Sequence, residues 1–299
     1  MRDKSDEGDE EDEKEEEDDP ILPYLGMTEL DDKVALISSI LAEYVGTLLL
    51  VMVGCGSCMG GDEGEASVQV DDQARVVRIS LCFGLTVSTL AQTIGHVSGC
   101  HVNPAVTLGL VVGRKMGMMK GLLYAASQCL GGITGAAILS AVVPEGVRGA
   151  GGLGMTVLGA KVSTGQAVAV EMVITMVLVM AVLAAAAPLS IGLTITTCHL
   201  FAVPLTGSGM NPARSLGPAL VQGQMINQWV YWVGPGLGGV LAAVFYQVVL
   251  RARGTGGRGR KVNTVRRFIQ VQSNREEDSP PYTKNQATGV SSNYLISTQ

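Results

Sequence analysis

Aromatic residues are scarce in this chain. Phe, Trp and Tyr supply 4% of its 299 residues, and Asp, Glu, Lys and Arg together only 16%. A nucleic-acid-binding surface needs a basic face interleaved with stacking rings, and none is present. The apolar share, 47% with a mean hydropathy of +0.32, excludes a disordered chain and is unusual for a soluble protein of this size. Six cysteines include one close pair, Cys55 and Cys58, with no second pair to complete a zinc site. They read as small packing residues at a helix end, and no metal is expected. No Asn-x-Ser/Thr sequon occurs. The N-terminus is acidic where a secretory leader would be basic, so no signal peptide is expected.

Charge is unevenly distributed. Residues 1–20 hold 13 Asp/Glu against 3 Lys/Arg, and everything after Pro20 carries a net charge of +4. The pI near 5.2 therefore describes a tail and says nothing of the body's partners.

A bilayer crossing needs about 20 mostly apolar residues. Six candidates appear: Val34–Val53, Val76–Ile94, Met119–Val142, Ala167–Ala187, Ile191–Leu205 and Trp229–Leu250. The fifth is short and borrows from the Ala-Pro-Leu-Ser turn before it. Glycines at 131, 132, 135, 234, 236, 238 and 239 suit helices whose backbones approach closely in a membrane. Basic residues at Lys33, at Arg114, Lys115 and Lys120, and at Arg251–Lys261 fall on one side of an even number of spans. That side is expected to be cytoplasmic, with both termini inside. Met59–Asp72 and Pro144–Thr164 would face outward. Residues 1–31 read as an acidic tail, 32–251 as the membrane domain with repeats at 32–142 and 165–251, and 252–299 as a second tail carrying Ser273 and Ser279. Its juxtamembrane basic segment suits contact with anionic lipid.

Two stretches do not fit plain spans. Ser98-Gly-Cys-His-Val-Asn103-Pro-Ala-Val-Thr-Leu-Gly109 and Thr206-Gly-Ser-Gly-Met-Asn211-Pro-Ala-Arg-Ser-Leu-Gly217 match at an offset of 108 residues. Asn is a good N-cap, and Pro costs nothing at the first helical position. About ten residues follow each Asn, roughly 15 Å of helix, which is half a bilayer. Each window is therefore a re-entrant half-helix. Three crossings lie between them, so the two enter from opposite faces and meet N-terminus to N-terminus near the midplane. Broken helices at matching positions of inverted halves mark a permeation site. Glu43 and Glu171 occupy matching places in spans 1 and 4.

On these residues the chain resembles the aquaporin family over about Asp32–Arg251. The motifs that carry the likeness are Asn103-Pro104-Ala105 and Asn211-Pro212-Ala213, Arg214 after the second, the two glutamates, and Gly95-His96-Val97-Ser98-Gly99. The resemblance implies an all-α membrane protein of six transmembrane helices plus two half-helices, assembled as a homotetramer. It also implies passive water conduction that excludes protons and ions, with no enzymatic activity and no cofactor. A plasma-membrane location fits this reading. Phe83, His199, Ser208 and Arg214 are implied as the selectivity filter, narrow enough to exclude glycerol. Ser215, Ala219 and the Tyr231-Trp232 pair also match the water-selective pattern, and Tyr231, Trp232 and Ala219 read as packing residues.

Glu43 and Glu171 are expected to accept hydrogen bonds from the re-entrant loops, since an ionisable group inside a span is expensive. His96 and His101 are expected to support the inner loop or line its vestibule. Ser208 stands where many water channels have cysteine, so mercurial block is not expected there. Cys100, its repeat counterpart, is expected to line the inner side and give partial mercury sensitivity. Three rival functions bear consideration: a broader pore for glycerol, urea or ammonia, a gated ion channel, and a non-conducting junctional or signalling protein. Phe83 and His199 oppose the first, Arg214 the second, and the intact motifs the third.

Overall fold

The computed structural model describes residues 25–60, 72–148 and 152–251. The acidic run at 1–20, most of the loop 59–72, part of the stretch 144–164, and the C-terminal basic and serine residues lie outside the described residues. A 3-10 turn, Met27–Leu30, leads into α1 (Lys33–Gly56), α2 (Asp72–Ser98) and the half-helix α3 (Pro104–Val112). There follow α4 (Met118–Val142), the single turn α5 (Glu145–Arg148), α6 (Thr164–Leu183) and α7 (Pro188–Thr206). The second half-helix α8 (Pro212–Val221) and α9 (Val230–Phe245, continued as π-helix over Tyr246–Arg251) complete the order. Six helices are long and apolar enough to span a membrane, and no strand occurs among the described residues.

Local chemistry sets the helix ends. Asp32 Oδ1 accepts from Ala35 N at the start of α1. Ser163 and Gln166 form a reciprocal capping box at α6. Pro188 takes the first position of α7, which extends the short fifth span to 19 residues. The fourth span stops at Leu183, short of Ala187, because Ala185 turns to φ +54°.

The packing is two-fold. α1 lies on α4 as α6 lies on α9, and α2 crosses α7. Each half-helix packs against the last span of the other repeat, α3 on α9 and α8 on α4. Glycine makes these approaches possible. A Cβ at Gly132 of α4 would stand 2.5 Å from the carbonyl oxygen of Ala213, and one at Gly239 of α9 would stand 2.5 Å from that of Ala105. On the half-helices a Cβ at Gly217 would run into the Gly132 carbonyl, and one at Gly109 would stand 2.6 Å from the Val179 side chain and 3.1 Å from the Gly239 carbonyl oxygen. At the α2–α7 crossing Gly84 faces Gly192 and Thr196, while Gly192 faces Gly84 and Ser88. Gly84 and Gly192, like Ser88 and Thr196, lie 108 residues apart. The outward faces keep large apolar side chains exposed, among them Leu41, Leu85, Leu122, Val173 and Leu193, as a lipid-facing surface requires. Leu25–Leu30 lie against the body: Gly26 touches Gly117, and Glu29 Oε1 accepts from Gly117 N at 3.0 Å.

Candidate functional site

The loops before α3 and α8 share one unusual backbone. Gly99, Cys100 and Val102 have φ of +88°, +51° and +43°; Gly207, Ser208 and Met210 have +74°, +52° and +53°. Left-handed backbone at a non-glycine residue costs on the order of 1–3 kcal/mol, most for a β-branched side chain such as Val102. It persists only where the surroundings determine it.

Glu43 and Glu171 supply that determination. Glu43 is fully buried in α1 and accepts from His101 N at 2.9 Å, Val102 N at 2.6 Å and Ser98 Oγ at 2.6 Å. Glu171 in α6 accepts from Gly209 N at 2.8 Å, Met210 N at 2.7 Å and Thr206 Oγ1 at 2.6 Å. Ser98 Oγ in turn accepts from Cys100 N, and Thr206 Oγ1 from Ser208 N. Tyr124 and Tyr231 donate their hydroxyls to the carbonyls of Ser98 and Thr206. Neither tyrosine was singled out for this role from sequence, although their spacing of 107 residues follows the repeat. The copies differ around the glutamates. Gln128 Nε2 donates to both Glu43 Oε2 and Thr107 Oγ1, whereas Pro235 stands at the equivalent position, 107 residues on, and Ser215 Oγ is buried without a protein partner.

Each loop ends on its asparagine. Asn103 Oδ1 accepts from Ala105 N at 2.8 Å, and Asn211 Oδ1 accepts from Ala213 N and Arg214 N. The amide groups cross between repeats: Asn103 Nδ2 donates to Met210 O at 2.9 Å and Asn211 Nδ2 to Val102 O at 2.7 Å. A primary amide has two N–H bonds, so each asparagine retains one after this brace is made. The brace was not anticipated from sequence. It ties the N-termini of α3 and α8 together across more than 100 residues of chain.

A cavity of about 70 Å³ runs past this junction, lined by both asparagines, Cys100, His101, Phe83, His199 and Arg214, with apolar walls from Leu50, Val87 and Ile195 among others. That volume admits on the order of five waters, at about 10–15 Å³ of accessible space for each. Phe83 and His199 stack with centroids 4.8 Å apart, and the Arg214 guanidinium lies 4.8 Å above the Phe83 ring. His199 Nδ1 is engaged with Ile195 O at 3.0 Å, which leaves Nε2 without a partner. Arg214 is 2% exposed; Nη1 donates to Gly154 O at 2.8 Å, and Nε has no partner. Two buried polar nitrogens therefore lack protein partners at a constriction. Water is the partner such groups need.

The structure thus brings Phe83, His199 and Arg214 together. Ser208 is fully buried and lines neither this cavity nor the vestibule beyond it. A second, wider space of about 520 Å³ opens beyond the constriction, lined by Asp72, Arg75, Cys58, Met155, Gly207 and Arg214, with others. Arg214 alone lines both. Loop residues Leu153 and Gly154 belong to this site as well: Leu153 N donates to Gln222 Oε1, and that anchoring presents the carbonyl of Gly154 to Arg214. Sequence offered no signal for them beyond a glycine-rich run. On the other side His101 Nδ1 contacts Thr107 Oγ1 at 3.1 Å, with its ring edge-on to Tyr124, while His96 is exposed at the end of α2. Among the described residues no group of His, Cys, Asp and Glu could hold a metal ion.

Comparison with known proteins agrees with this architecture. Residues 31–246 match the Major intrinsic protein family. The chain is 42% identical to aquaporin-4 of Homo sapiens over 221 residues, covering 71% of this chain and 67% of that protein. Identity to aquaporin-4 of Mus musculus is 43% over 218 residues, 70% of this chain and 66% of the relative. The chain thus spans about two thirds of these relatives' length. It is 40% identical to the lens fiber major intrinsic protein of Rattus norvegicus, covering 72% and 82% of the two chains. Among solved structures, the aquaglyceroporin from Plasmodium falciparum superposes with a TM-score of 0.65 at 23% identity, covering 73% of this chain and 98% of that one, a likeness of fold.

Proposed function

This chain belongs to the major intrinsic protein family, and from that premise we propose that it is a passive water channel, driven by osmotic gradient and closed to protons, ions and glycerol. It is a membrane protein and carries out no catalysis. The single observation that carries the reading is the constriction: a stacked Phe83–His199 pair and the Arg214 guanidinium, with two buried nitrogens lacking protein partners, at the neck of a cavity sized for a file of waters.

The proposed mechanism follows from the residues. Water leaving the 520 Å³ vestibule meets Arg214 Nε and His199 Nε2, which replace part of its lost hydration. The phenyl and imidazole walls narrow the passage and so favour water over a three-carbon polyol, and the guanidinium charge repels cations. At the junction the N-termini of α3 and α8 each present about half a positive charge, since their dipoles converge there. The remaining N–H of Asn103 and of Asn211 donates to a water oxygen, which turns that water's hydrogens away and breaks a proton-conducting file. Glu43 and Glu171 hold the loops that aim these groups. Ser208 lines neither cavity, and its part in the filter is carried by its N–H on Thr206 Oγ1, which helps to fix the loop before α8.

The residues at 32–251 form the channel, preceded by 1–31, of which Leu25–Leu30 pack on the body, and followed by the tail 252–299. Both termini lie in the cytoplasm, the vestibule beside Cys58 and Arg75 faces outward, and four protomers assemble, each with its own pore, in the plasma membrane. Stopped-flow light scattering on proteoliposomes tests this: fast shrinkage in sucrose with glycerol entry at the lipid background is expected. Fast glycerol entry would mean a wider pore, and no enhancement of either would sink the channel reading.

A further inference from the structure

Six free cysteines lie among the described residues, and the two cavities sort them. Cys55 is fully buried, and Cys82, Cys129 and Cys198 line neither cavity. Cys100 lines the narrow cavity, on the inner side of the constriction. Cys58 alone lines the outer vestibule, at 9% exposure.

Its surroundings set Cys58 apart further. Arg214 Nη2 lies 3.8 Å from its sulfur, and Arg75 Nη2 donates to its carbonyl oxygen at 3.2 Å. The remaining sulfur contact is with Gly54 O at 3.6 Å. Arg214, nine-tenths buried and more, has its Nε unpartnered and is the one residue shared by vestibule and cavity. The sulfur of this vestibule-lining residue thus lies directly beside that guanidinium. Burial opposes ionisation of the thiol, and the charges of Arg214 and Arg75 assist it. The thiol is thus slow to react, and it sits where the vestibule meets Arg214.

We propose that Cys58 is a covalent modification site at the outer mouth, where a small thiosulfonate or disulfide forms a mixed disulfide that shuts the pore at Arg214. The inference rests on the channel reading above. With methyl methanethiosulfonate, the Cys58 thiolate attacks the thiomethyl sulfur; the new S–S bond forms as the S–SO2 bond breaks. Methanesulfinate leaves with the electron pair, and the thiol's proton passes to it or to buffer. The cysteine is oxidised and the sulfonyl sulfur reduced, so no further reagent is needed.

The test uses full-length protein in proteoliposomes, with each variant scored against its own untreated osmotic rate. Conduction by untreated protein tests the channel reading on its own. External methyl methanethiosulfonate should then lower the rate at least threefold, dithiothreitol should restore it, and mass spectrometry should find the thiomethyl group on Cys58. Cys58→Ser and Cys58→Thr should resist the reagent, whereas Cys100→Ser should remain sensitive. The proposal is overturned if the conducting wild type is unaffected, if Cys58 is labelled without loss of flux, or if resistance follows Cys100 and not Cys58.

Discussion

His199 keeps one ring nitrogen unbonded. Its Nδ1 is committed to Ile195 O, its ring lies against Phe83, and Nε2 is left bare in the constriction. Replacing it with glycine removes the imidazole wall while Arg214 keeps its Gly154 anchor. His199→Gly should therefore raise glycerol uptake on the order of tenfold or more with water flux retained, measured by stopped-flow scattering. Unchanged glycerol flux would place the barrier elsewhere. Glu171 is a different kind of residue. Glu171→Ala would strand the N–H groups of Gly209 and Met210 and the Thr206 hydroxyl inside the protein. At about 1–3 kcal/mol for each unmet donor, the loss is about 3 kcal/mol or more. The expected result is loss of the monodisperse peak in detergent size-exclusion; retention of it with normal thermal stability would contradict the bracing role. Both residues were legible in the sequence, His199 from its distance to the second Asn-Pro-Ala motif as the resemblance implies, and Glu171 from the place it shares with Glu43 in spans 4 and 1. The sharing of Glu43 with Gln128 was not, because nothing local links residues 85 positions apart.

Helices in this molecule touch through glycine, and the consequences are unequal. At the α2–α7 crossing a side chain on Gly84 would run into the Gly192 carbonyl oxygen and Thr196. Backbone cannot step aside as a side-chain tip can. Gly84→Val should destabilise the fold by about 3 kcal/mol or more, seen as a drop in thermal midpoint or failure to assemble. Gly95, on the same helix, meets nothing within 4 Å. Gly95→Ala should be neutral or stabilising by up to about 1 kcal/mol, since alanine is the better helix former. If both substitutions behaved alike, close backbone approach would not be what holds α2 and α7 together. The glycine runs of α4 and α9 were readable as approach sites because they cluster. Gly84 and Gly192 belong to no glycine run, and only their contact with each other gives them meaning.

At the scale of the whole molecule the two repeats oppose one another. Their half-helices point their positive ends at one place, and the crossed Asn103 and Asn211 amides hold those ends together. Osmotic water flow should therefore proceed without proton flow. Vesicles that shrink rapidly in sucrose should show proton leakage at the lipid background when a pH step is read by an entrapped dye. Proton entry that tracks water entry would mean that the file is continuous.

Span number, the inverted repeat and the start of each half-helix could be settled from the sequence alone, because hydropathy, N-capping and proline's missing N–H act within a few residues. The same locality explains how Asn103 and Asn211 could be picked out before any contact was known. The tertiary structure decided the rest. Only packing determines that each asparagine donates to the other loop, and that Tyr124 and Tyr231 donate to the loop carbonyls. Packing also buries Ser208 away from both cavities and sets the Cys58 sulfur against Arg214. Those are contacts between segments brought together by the fold, and their partners are chosen by geometry that no single stretch of sequence contains.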